Sequence, residues 1–461
     1  MSTASDRLRI LLYGKDARTD AIARSLRASP RPIELHVYSQ FRIPGLVEKS
    51  DGGIWDGNLT ASGLQGMVAY AKEFKPDLAI VGPEEPLEAG LVDELVKLGI
   101  PCFGPSRLHA QIESSKSWTR QLMDEFEIPV NPEYEIFTDA GEVSRYLADR
   151  SDFVVKPDGL TGGKGVRLFP EHFESREEAI EYAEGLASES RVVIEERLEG
   201  EEFSLMSITD GETVVHCPAV QDHKRAYDGD AGPNTGGMGS YSDADHSLPF
   251  LTPDELSAAR RTNEAVVRAL GERLGSPYRG VLYGGFIATC RGVRLIEYNA
   301  RFGDPEAMNV LPLLRGDFVE IAMAAATGNL ASVPFEFAHN ATVCKYLVPE
   351  KYPAGGGSGD EVVVPKDLRT DPDTHLYWAA TNQAEDGSFR MTGSRALAVV
   401  GIGATIVEAE RRAECAARAI ETASRGTVRH RSDIGTADLL GRRTQHMEAV
   451  RRTGARTDSG R

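Results

Sequence analysis

Apolar runs alternate with amphipathic segments over the first hundred residues. Four runs predict β-strands: Leu8–Gly14, Pro32–Tyr38, Asp77–Pro83 and Gly99–Pro105. Between them, Ala17–Arg27 and Leu87–Leu98 are typical of helices. Apolar strands that are joined through helices indicate a parallel sheet covered on both faces. Ligands bind such sheets at the carboxyl ends of the strands, where Gly14 and Gly82 lie.

The pattern changes after about Gln111. We expect a helix over Ser114–Glu125, then a hairpin, then four strand-like runs: VVIEERL, EFSLMSIT, GVLYGGFIAT and VRLIEYNA. Hairpins mixed with helices are typical of an α+β unit. After about Pro334, the runs ATVCKYLV and ALAVVGIG accompany a long helix, Ile406–Ser424. The predicted sections are an α/β domain (1–110), an α+β domain (111–333), a β-rich domain (334–440) and a tail (441–461).

Composition narrows the class of protein. The 461 residues are 41% hydrophobic and 26% charged, no apolar run approaches the ~20 residues of a membrane span, and no signal peptide opens the chain. The five cysteines are odd in number and far apart, and they form no C-x-x-C pair. This spacing excludes a zinc ribbon and argues against a disulfide framework. We therefore expect a cytoplasmic protein without a membrane partner.

The charge balance bears on possible partners. A formal net charge of −18 indicates a solvated acidic surface, and it disfavours a duplex nucleic-acid partner, which requires basic stripes. The basic patch of the chain is its arginine-rich tail, residues 441–461. Because this tail has few apolar residues, we expect it to be disordered.

The segment FVVKPDGLTGGKGVRLF, Phe153–Phe169, holds a glycine-rich loop between two strand-like runs. It is not a Walker phosphate loop, since Gly159 to Lys164 is one residue too short and Gly165 replaces the required Ser or Thr. The pattern predicts a hairpin whose tip lets backbone N–H groups approach an anion, with Lys156 and Lys164 as nearby cations. A mobile glycine turn without a ligand is the alternative.

Three further motifs favour the anion site. Glu297 and Asn299 lie two apart in RLIEYNARFGDPE, so their oxygens point to one side of a strand and suit Mg²⁺ that bridges to phosphates; Arg301 follows on the same side. IEERLEGEEFSL crowds glutamates onto a strand and turn, where a solvated acidic face is the alternative. QDHKRAYDGDAGPNTGGMGSYS joins basic residues to a second glycine-rich turn, which suits an anionic substrate.

Five segments closely resemble motifs of the phosphoribosylamine–glycine ligase family, in the ATP-grasp superfamily: KPDGLTGGKGV, VVIEERLEGEEFSL, QDHKRAYDGDAGPNTGGMGSYS, IEYNARFGDPE and CKYLVPEKYP. The similarity extends from about Gly82 to Gly435, and five long motifs in order are far more specific than a lone glycine pattern. It implies a fold of mixed α/β and α+β type: an amino-terminal parallel-sheet (pre-ATP-grasp) domain, a central ATP-grasp domain with a lid at about 127–195, and a small β-rich carboxy-terminal domain.

The resemblance implies an ATP site between two α+β halves. The phosphates would be held by two lysines and the hairpin tip: Lys116, Lys156, Gly162, Gly163, Lys164 and Gly165. The adenine edge would be held by Glu195, Glu196 and Leu198, and the ribose hydroxyls by Glu202.

The same resemblance implies a metal and a substrate set. Glu297 and Asn299 would bind Mg²⁺ or Mn²⁺. Arg301 and Lys156 would act on the phosphoryl group in transfer, and Asp304 would organise the acceptor site. The remaining substrate contacts would come from one further set: Arg18, Asp222, His223, Lys224, Arg225, Asn234, Gly236 and Gly237.

The family's reaction joins glycine to 5-phosphoribosylamine in purine biosynthesis. ATP would phosphorylate the glycine carboxylate to an acyl phosphate, which the amine then attacks. Catalysis by positioning and charge requires no nucleophilic Cys or Ser, in agreement with the motifs. The expected partners are these small molecules, and the chain would be a monomer or a homodimer.

One loop and one single residue depart from the family. Its first strand runs into G-x-G-G-R-E-H-A, a phosphate cradle, whereas this chain has GKDARTDA (Gly14–Ala21), in which Asp16 would repel a phosphate. Gly285 stands where some relatives carry a metal-site glutamine. Three hypotheses stay open: an ordinary member of the family, a paralogue that joins an amino-acid-like carboxylate to a different amine, and an inactive ATP-binding regulator. The intact Lys156 and Glu297 speak against the third.

Overall fold

The amino-terminal section is an open parallel sheet, as predicted. The computed structural model describes residues 7–160 and 165–458. The strands are β1 (Leu8–Tyr13), β2 (Ile33–Tyr38), β3 (Gly52–Ile54), β4 (Leu78–Val81) and β5 (Cys102–Phe103). They lie in the order β3-β2-β1-β4-β5 with parallel pairings. The central strand β1 is buried from Ile10 to Tyr13, which explains its apolar run.

Short helices connect these strands: α1 (Ala17–Arg27), α2 (Pro44–Lys49), α3 (Leu64–Phe74), α4 (Glu84–Glu88) and α5 (Leu91–Lys97). The prediction of one helix over Leu87–Leu98 is wrong. Gly90 adopts the left-handed conformation, with φ of +85°, and separates α4 from α5. Helix α4 begins at Glu84, just after the Gly82-Pro83 turn that follows β4. This start places the Glu84 carboxylate at the carboxyl edge of the sheet.

A small α+β unit follows α6 (Arg107–Ser114) and α7 (Lys116–Glu125). This lid unit, residues 134–195, contains β6 (Tyr134–Phe137), α8 (Ala140–Leu147), β7 (Phe153–Pro157), β8 (Arg167–Phe169), α9 (Arg176–Glu189) and β9 (Val192–Glu195). Its antiparallel sheet has the order β6-β9-β7-β8, which confirms the predicted hairpin of β7 and β8. The unit has a hydrophobic core of its own, in which Val143 and Leu147 are fully buried.

The central section is built on an antiparallel sheet. Its strands are β10 (Glu201–Thr209), β11 (Val214–His216), β12 (Gln221–Asp222), β13 (Arg225–Tyr227), β14 (Ala231–Asn234), β15 (Gly239–Ser242), β16 (Gly280–Thr289), β17 (Gly292–Asn299), β18 (Leu314–Arg315) and β19 (Glu336–Phe337). Its helices are α10 (Pro253–Leu274), α11 (Ala307–Val310) and α12 (Phe318–Thr327). The main sheet has the order β11-β10-β16-β17. Strand β16 is buried throughout, whereas β17 leaves Glu297 and Asn299 partly exposed on one side.

The carboxy-terminal section shares a sheet with the central section. Its elements are β20 (Ala341–Pro349), β21 (Thr374–Trp378), β22 (Thr381–Gln383), β23 (Phe389–Met391), β24 (Leu397–Gly403), α13 (Ile406–Ala423), β25 (Val428–Arg429) and α14 (Ala437–Asp458). The sheet has the order β12-β15-β20-β24-β21, and β25 also pairs with β20. Because β12 and β15 precede residue 334, this sheet crosses the predicted boundary between the two sections.

The end of the chain is helical, so the prediction of a disordered tail after Leu440 is wrong for the described residues. Helix α14 buries Leu439, Met447 and Val450 in the main core. These few apolar residues lie at helical spacing on one face, which suffices to dock the helix. In the part of the chain that the structure describes, no helix has both the length and the hydropathy of a membrane span.

Candidate active site

A cavity of about 900 Å³ opens where the sections of the chain meet. The lid unit, the central section, the amino-terminal sheet and the carboxy-terminal section each contribute to its wall. Most of the predicted site residues lie in this wall: Arg18, Lys116, Lys156, Glu202, Asp222, His223, Lys224, Arg225, Asn234, Gly236, Glu297, Asn299, Arg301 and Asp304. The fold therefore brings together residues that are far apart in the sequence.

Lys156 on β7 is buried and held by an ion pair. Its Nζ lies 2.7 Å from Oε2 of Glu195 and donates to the carbonyl oxygen of Ile296 at 3.0 Å. Arg120 of α7 donates to both oxygens of Glu195, at 2.8 and 3.0 Å. Burial lowers the pKa of Lys156, and the charge of Glu195 opposes that shift. The Glu195 carboxylate thus fixes two cations at one end of the cavity.

The segment expected to hold adenine has its side chains engaged elsewhere. Glu196 Oε1 accepts from the backbone N–H of Glu133 at 3.0 Å, and Oε2 binds Arg291. Among the described residues, the side chains of Glu195, Glu196 and Leu198 do not line the cavity. An adenine contact by this segment stays a prediction, and it would involve backbone atoms.

Lys116 links α7 to the base of the glycine-rich hairpin. Its Nζ donates to the carbonyl oxygen of Gly159 at 2.8 Å. The neighbouring Asp158 accepts from Ser115 Oγ at 3.1 Å. These bonds place the Lys116 ammonium at the cavity wall, beside the strand that carries Lys156.

The tip of the hairpin is only partly described. Three of its predicted site residues lie outside the described residues: Gly162, Gly163 and Lys164. Beyond them, the carbonyl oxygen of Gly165 accepts from the Tyr182 hydroxyl at 2.8 Å, and the Arg167 guanidinium lies 4.3 Å from the centre of the Tyr182 ring. The second arm of the hairpin is therefore anchored to α9.

Glu297 and Asn299 project into the cavity from β17. Although burial opposes it, Lys224 and Lys156 hold the pKa of Glu297 below its ordinary value, so the carboxylate is ionised. Among the described residues no hydrogen-bond donor engages this carboxylate, and Asn299 Oδ1 accepts from Arg301 at 3.3 Å. These oxygens fit a hard divalent cation. The described residues contain no cluster of three acidic, His or Cys side chains that would hold a metal, so further ligands would come from elsewhere.

Arg301 is held by two carboxylates of the amino-terminal half. Its Nη2 lies 2.8 Å from Glu113 Oε1, and its Nε lies 3.1 Å from Glu84 Oε2. Although burial opposes it, Glu113 and Glu84 raise the pKa of Arg301, which stays charged. A phosphoryl group bound here would share the guanidinium with these two carboxylates.

Asp304 is oriented from the carboxy-terminal section. The Tyr346 hydroxyl donates to its Oδ1, and Arg395 Nη1 lies 3.2 Å from the same oxygen. Asp304 Oδ2 is buried with no partner among the described residues, so one acceptor is left for a ligand. Arg395 also donates to the carbonyl oxygens of Gly236 at 2.7 Å and Gly237 at 3.1 Å. Within the described part of the chain, Gly237 thus does not line the cavity, but its carbonyl oxygen helps to hold Arg395 in place.

The QDHKR segment presents both charges and a neutral ring. Lys224 Nζ lies 3.5 Å from Glu202 Oε2, and Asp222 and Glu202 raise the pKa of Lys224. His223 is 2% exposed, and neither ring nitrogen has a partner among the described residues. Burial and the charge of Arg443 lower the pKa of His223 to about 3. A neutral imidazole can donate from one nitrogen and accept at the other.

Arg225 and Asn234 lie opposite each other on the β13–β14 hairpin. Arg225 donates to the carbonyl oxygen of Gly232 at 2.9 Å and binds Glu171 of the lid unit. Its charge therefore links the lid unit to the β13–β14 hairpin. Asn234 is exposed at the cavity wall.

Arg18 lies at the carboxyl edge of the parallel sheet, where it is already paired. Asp16 caps α1 by accepting from the Thr19 N–H at 3.0 Å, and it also binds Arg18. Arg18 Nη1 donates to the carbonyl oxygen of Phe302 at 2.7 Å. Although burial opposes it, Arg18 lowers the pKa of Asp16 to about 2. An ionised carboxylate thus occupies the helix start where the family pattern implies a phosphate.

The buried carboxyl group of Glu306 lies against strand β16. Tyr283 donates to Glu306 Oε1 at 2.8 Å, and burial together with the charge of Asp222 raises the pKa of Glu306 to about 7.

Gly285 pairs with Glu297, and a Cβ built there would lie 3.4 Å from Glu297 Cγ. A side chain at Gly285 would therefore crowd Glu297.

Comparison with known proteins identifies the family. Three models for phosphoribosylglycinamide synthetase match in order: the N domain over residues 8–113, the ATP-grasp (A) domain over 114–307 and the C domain over 342–437. The chain belongs to the phosphoribosylglycinamide synthetase family. This confirms the family and the ATP-grasp fold that the motifs predicted.

Individual relatives extend over nearly the whole chain. A phosphoribosylamine–glycine ligase of Methanopyrus kandleri is 43% identical over 452 residues, covering 96% of this chain and 99% of that protein. The protein of the same name from Methanocella arvoryzae is 42% identical over 446 residues, covering 96% and 100%. The crystal structure of phosphoribosylamine–glycine ligase from Thermotoga maritima matches with a TM-score of 0.73 at 26% identity, covering 92% of this chain and 97% of that one.

Sequence reasoning missed the residues that hold the predicted ones in place: Glu84, Glu113, Arg120 and Arg395. Glu84 directly follows the Gly-Pro turn at the end of β4, an edge where ligands were expected, so this signal could have found it. The partners of the other three are remote in sequence, and no local pattern marks them.

Proposed function

We propose that this protein is an ATP-dependent carboxylate–amine ligase that joins glycine to 5-phosphoribosylamine in purine biosynthesis, with release of ADP and phosphate. The observation that carries the proposal is the arrangement across one cavity of Lys156 from the lid unit and the pair Glu297 and Asn299 from β17. The shared name of the relatives supports these substrates.

ATP and a divalent cation, Mg²⁺ or Mn²⁺, fit the chemistry of the wall. Lys116 and Lys156 would bind phosphate oxygens, and Glu297 with Asn299 would hold the cation. The cation would supply charge neutralisation at the phosphates. Arg301 lies beside Asn299 and would stabilise the phosphoryl group during transfer.

The proposed chemistry has two balanced steps. A carboxylate oxygen of glycine attacks the γ-phosphorus, and the bond from that phosphorus to ADP breaks, which forms an acyl phosphate. The amine nitrogen then attacks the acyl carbon, phosphate leaves with the electrons of the C–O bond, and the nitrogen loses a proton. Asp304, whose Oδ2 has no partner among the described residues, would orient an N–H group of a substrate.

The test measures ADP release and amide product with glycine, phosphoribosylamine, ATP and Mg²⁺. The wild type is expected to form glycinamide ribonucleotide and ADP in equal amounts. Glu297→Gln should lower the rate at least about a hundredfold, because an amide leaves the cation weakly held. Glu336→Gln, at an exposed position of strand β19, is a matched control, expected to keep the wild-type rate. Absence of the amide product with folded wild-type protein would contradict the proposal.

One observation favours a second candidate, the ligation of a different amine. Asp16 neutralises Arg18 at the place where the family pattern implies the phosphate of phosphoribosylamine. The same assay with a panel of amines that lack a phosphate separates the two candidates. Faster turnover of such an amine would favour the second.

We also propose a cytoplasmic location and a monomeric or homodimeric state. The five cysteines are unpaired in the structure, which is compatible with a reducing compartment. Fractionation of cells and light scattering of the purified protein test these two points.

A further inference from the structure

The carboxy-terminal helix α14 starts where the match to the family's C domain ends, at residue 437. It packs against β10 and β16 of the central section, with Met447 and Val450 buried. Two basic side chains of α14, Arg443 and His446, form part of the cavity wall. A segment outside the match to the family's C-domain model therefore reaches the candidate active site.

Both side chains meet Glu201, a carboxylate that is only 4% exposed. His446 Nδ1 lies 2.7 Å from Glu201 Oε1, and since a carboxylate only accepts, Nδ1 carries the hydrogen. On the other oxygen, Gln221 Nε2 donates at 3.1 Å, and Arg443 Nε lies at 3.4 Å. Without these partners, a buried charge at this point would be strongly unfavourable.

Gln221 extends the contact to Glu202, the residue expected to hold the ribose hydroxyls. Its Nε2 also donates to the carbonyl oxygen of Glu202 at 3.0 Å, and its Oε1 accepts from the Tyr241 hydroxyl at 2.6 Å. The backbone at the start of β10 is thus fixed by a network that ends on α14. A shift of Glu201 would move Glu202 with it, because the two residues are adjacent in one strand.

We propose that Arg443 and His446 are positioning residues of the nucleotide site, which act through Glu201 and Gln221 to set the place of Glu202. Their effect is on the affinity for a nucleoside triphosphate rather than on the chemical step. Arg443 also binds Asp230 beside the β13–β14 hairpin, so the same side chain braces the substrate side of the cavity. The inference rests on the proposed function only for the identity of the nucleotide.

The test uses the full-length protein and calorimetric titration with a non-hydrolysable ATP analogue and Mg²⁺. His446→Ala is expected to raise Kd about tenfold, because Glu201 loses a hydrogen bond that involves a charged group. His446→Asn, which keeps an N–H donor near the position of Nδ1, should restore Kd to within about threefold of the wild type. In turnover assays, His446→Ala should raise KM for ATP and leave kcat nearly unchanged.

Arg451→Ala is the matched control on the same helix. Arg451 pairs with Glu255 at 2.7 Å and does not belong to the cavity wall among the described residues, so this variant should bind the analogue like the wild type. Thermal unfolding checks that each variant is folded. If His446→Ala unfolds, Glu201→Gln takes its place and should weaken binding in the same way.

Three results would overturn the inference: wild-type affinity in His446→Ala (or in Glu201→Gln where it takes the place of His446→Ala), weakening by Arg451→Ala equal to that by His446→Ala, or no recovery in His446→Asn. Equal weakening by Arg451→Ala and His446→Ala would show that nucleotide affinity depends only on the docking of helix α14. Because the titration contains neither glycine nor an amine, its outcome is independent of ligase turnover. A wild type that binds the analogue but forms no amide would contradict the proposed function and leave the comparison of variants valid.

Discussion

Asp16 has two roles at the start of α1, and they can be separated. It caps the helix through the Thr19 N–H, and its charge pairs with Arg18. Loss of such a cap costs about 1 kcal/mol, whereas asparagine caps a helix about as well as aspartate. Replacement by asparagine therefore removes the charge and preserves the local structure.

Asp16→Asn is expected to lower KM for phosphoribosylamine about tenfold and to leave KM for ATP unchanged. The physical reason is the release of Arg18 and the removal of a negative charge near the substrate phosphate. Steady-state kinetics at saturating glycine measure the effect. Asp51→Asn, which removes the partner of Arg27 in the same section, is the control. An unchanged KM for the amine would show that Asp16 does not weaken phosphate binding.

Glu306 makes the stability of the protein dependent on pH. Burial and Asp222 raise its pKa from the ordinary value of 4.5 to about 7, and Tyr283 and Lys224 also face the carboxyl group. Between these two values the folded state holds a proton that the unfolded state has lost. The stabilisation is therefore complete below about pH 4.5 and is lost as the pH rises to about 7.

Relative to Glu306→Gln, the free energy of unfolding of the wild type should fall by up to about 3 kcal/mol from pH 4.5 to 7 and then level off. Urea unfolding of both proteins across this range measures the difference. A difference that stays constant with pH would mean that the carboxyl group titrates normally in the folded state.

At the level of elements, the lid unit is the part most separate from the rest. Its core residues form a cluster distinct from the main core, and it reaches the central section through bonds such as Lys156 to Ile296 and Arg225 to Glu171. Units with few contacts open at low free energy and become ordered when a ligand binds.

Hydrogen exchange should therefore slow in β7 and β8 when an ATP analogue and Mg²⁺ are added, by about tenfold or more. Strand β16, which is buried throughout, serves as the internal control and should not change. Exchange in β7 and β8 that is already slow without nucleotide would contradict closure of the lid unit on the ligand.

The elements that could be predicted from sequence are those with a local pattern. The apolar runs of β1 and β16, the hairpin of β7 and β8, and the two-residue spacing of Glu297 and Asn299 all depend on neighbours in the chain. Helix α14 was not predicted because few apolar residues lie among its arginines, and because its acidic partners Glu201 and Glu255 come from the central section. Likewise, nothing near Glu195 indicates that Arg120 and Lys156 would share its carboxylate.

On the scale of the whole molecule, the carboxy-terminal section braces both other parts of the cavity. Strands β12 and β15 complete its sheet, so it is continuous with the central section. Towards the amino-terminal sheet, the Trp378 N–H donates to Asp20 Oδ2 at 2.8 Å, and the Arg42 N–H donates to Asn382 Oδ1 at 2.9 Å. The carboxy-terminal section therefore holds the central section and the amino-terminal sheet together around the cavity.

Arg395 offers the sharpest test of the support that the carboxy-terminal section gives to the cavity. Its Nη1 contacts four acceptors: Asp304 Oδ1 and the carbonyl oxygens of Gly236, Gly237 and Asp304. Its guanidinium also lies 4.4 Å from the centre of the Tyr346 ring. Arg395→Ala should lower kcat/KM for glycine and the amine about a hundredfold, because the substrate turn and Asp304 lose a shared charged donor.

KM for ATP should stay within about twofold in Arg395→Ala, since Lys116 and Lys156 lie on other elements. Arg395→Lys should recover little, because one ammonium cannot replace a planar guanidinium that both donates and stacks. Arg390→Ala, at a half-exposed arginine of the same section 3.9 Å from Glu361, is the control and should match the wild type. Steady-state kinetics with each substrate varied in turn decide the point: an equal loss for ATP and for glycine would mean that Arg395 supports the whole cavity and not the acceptor side alone.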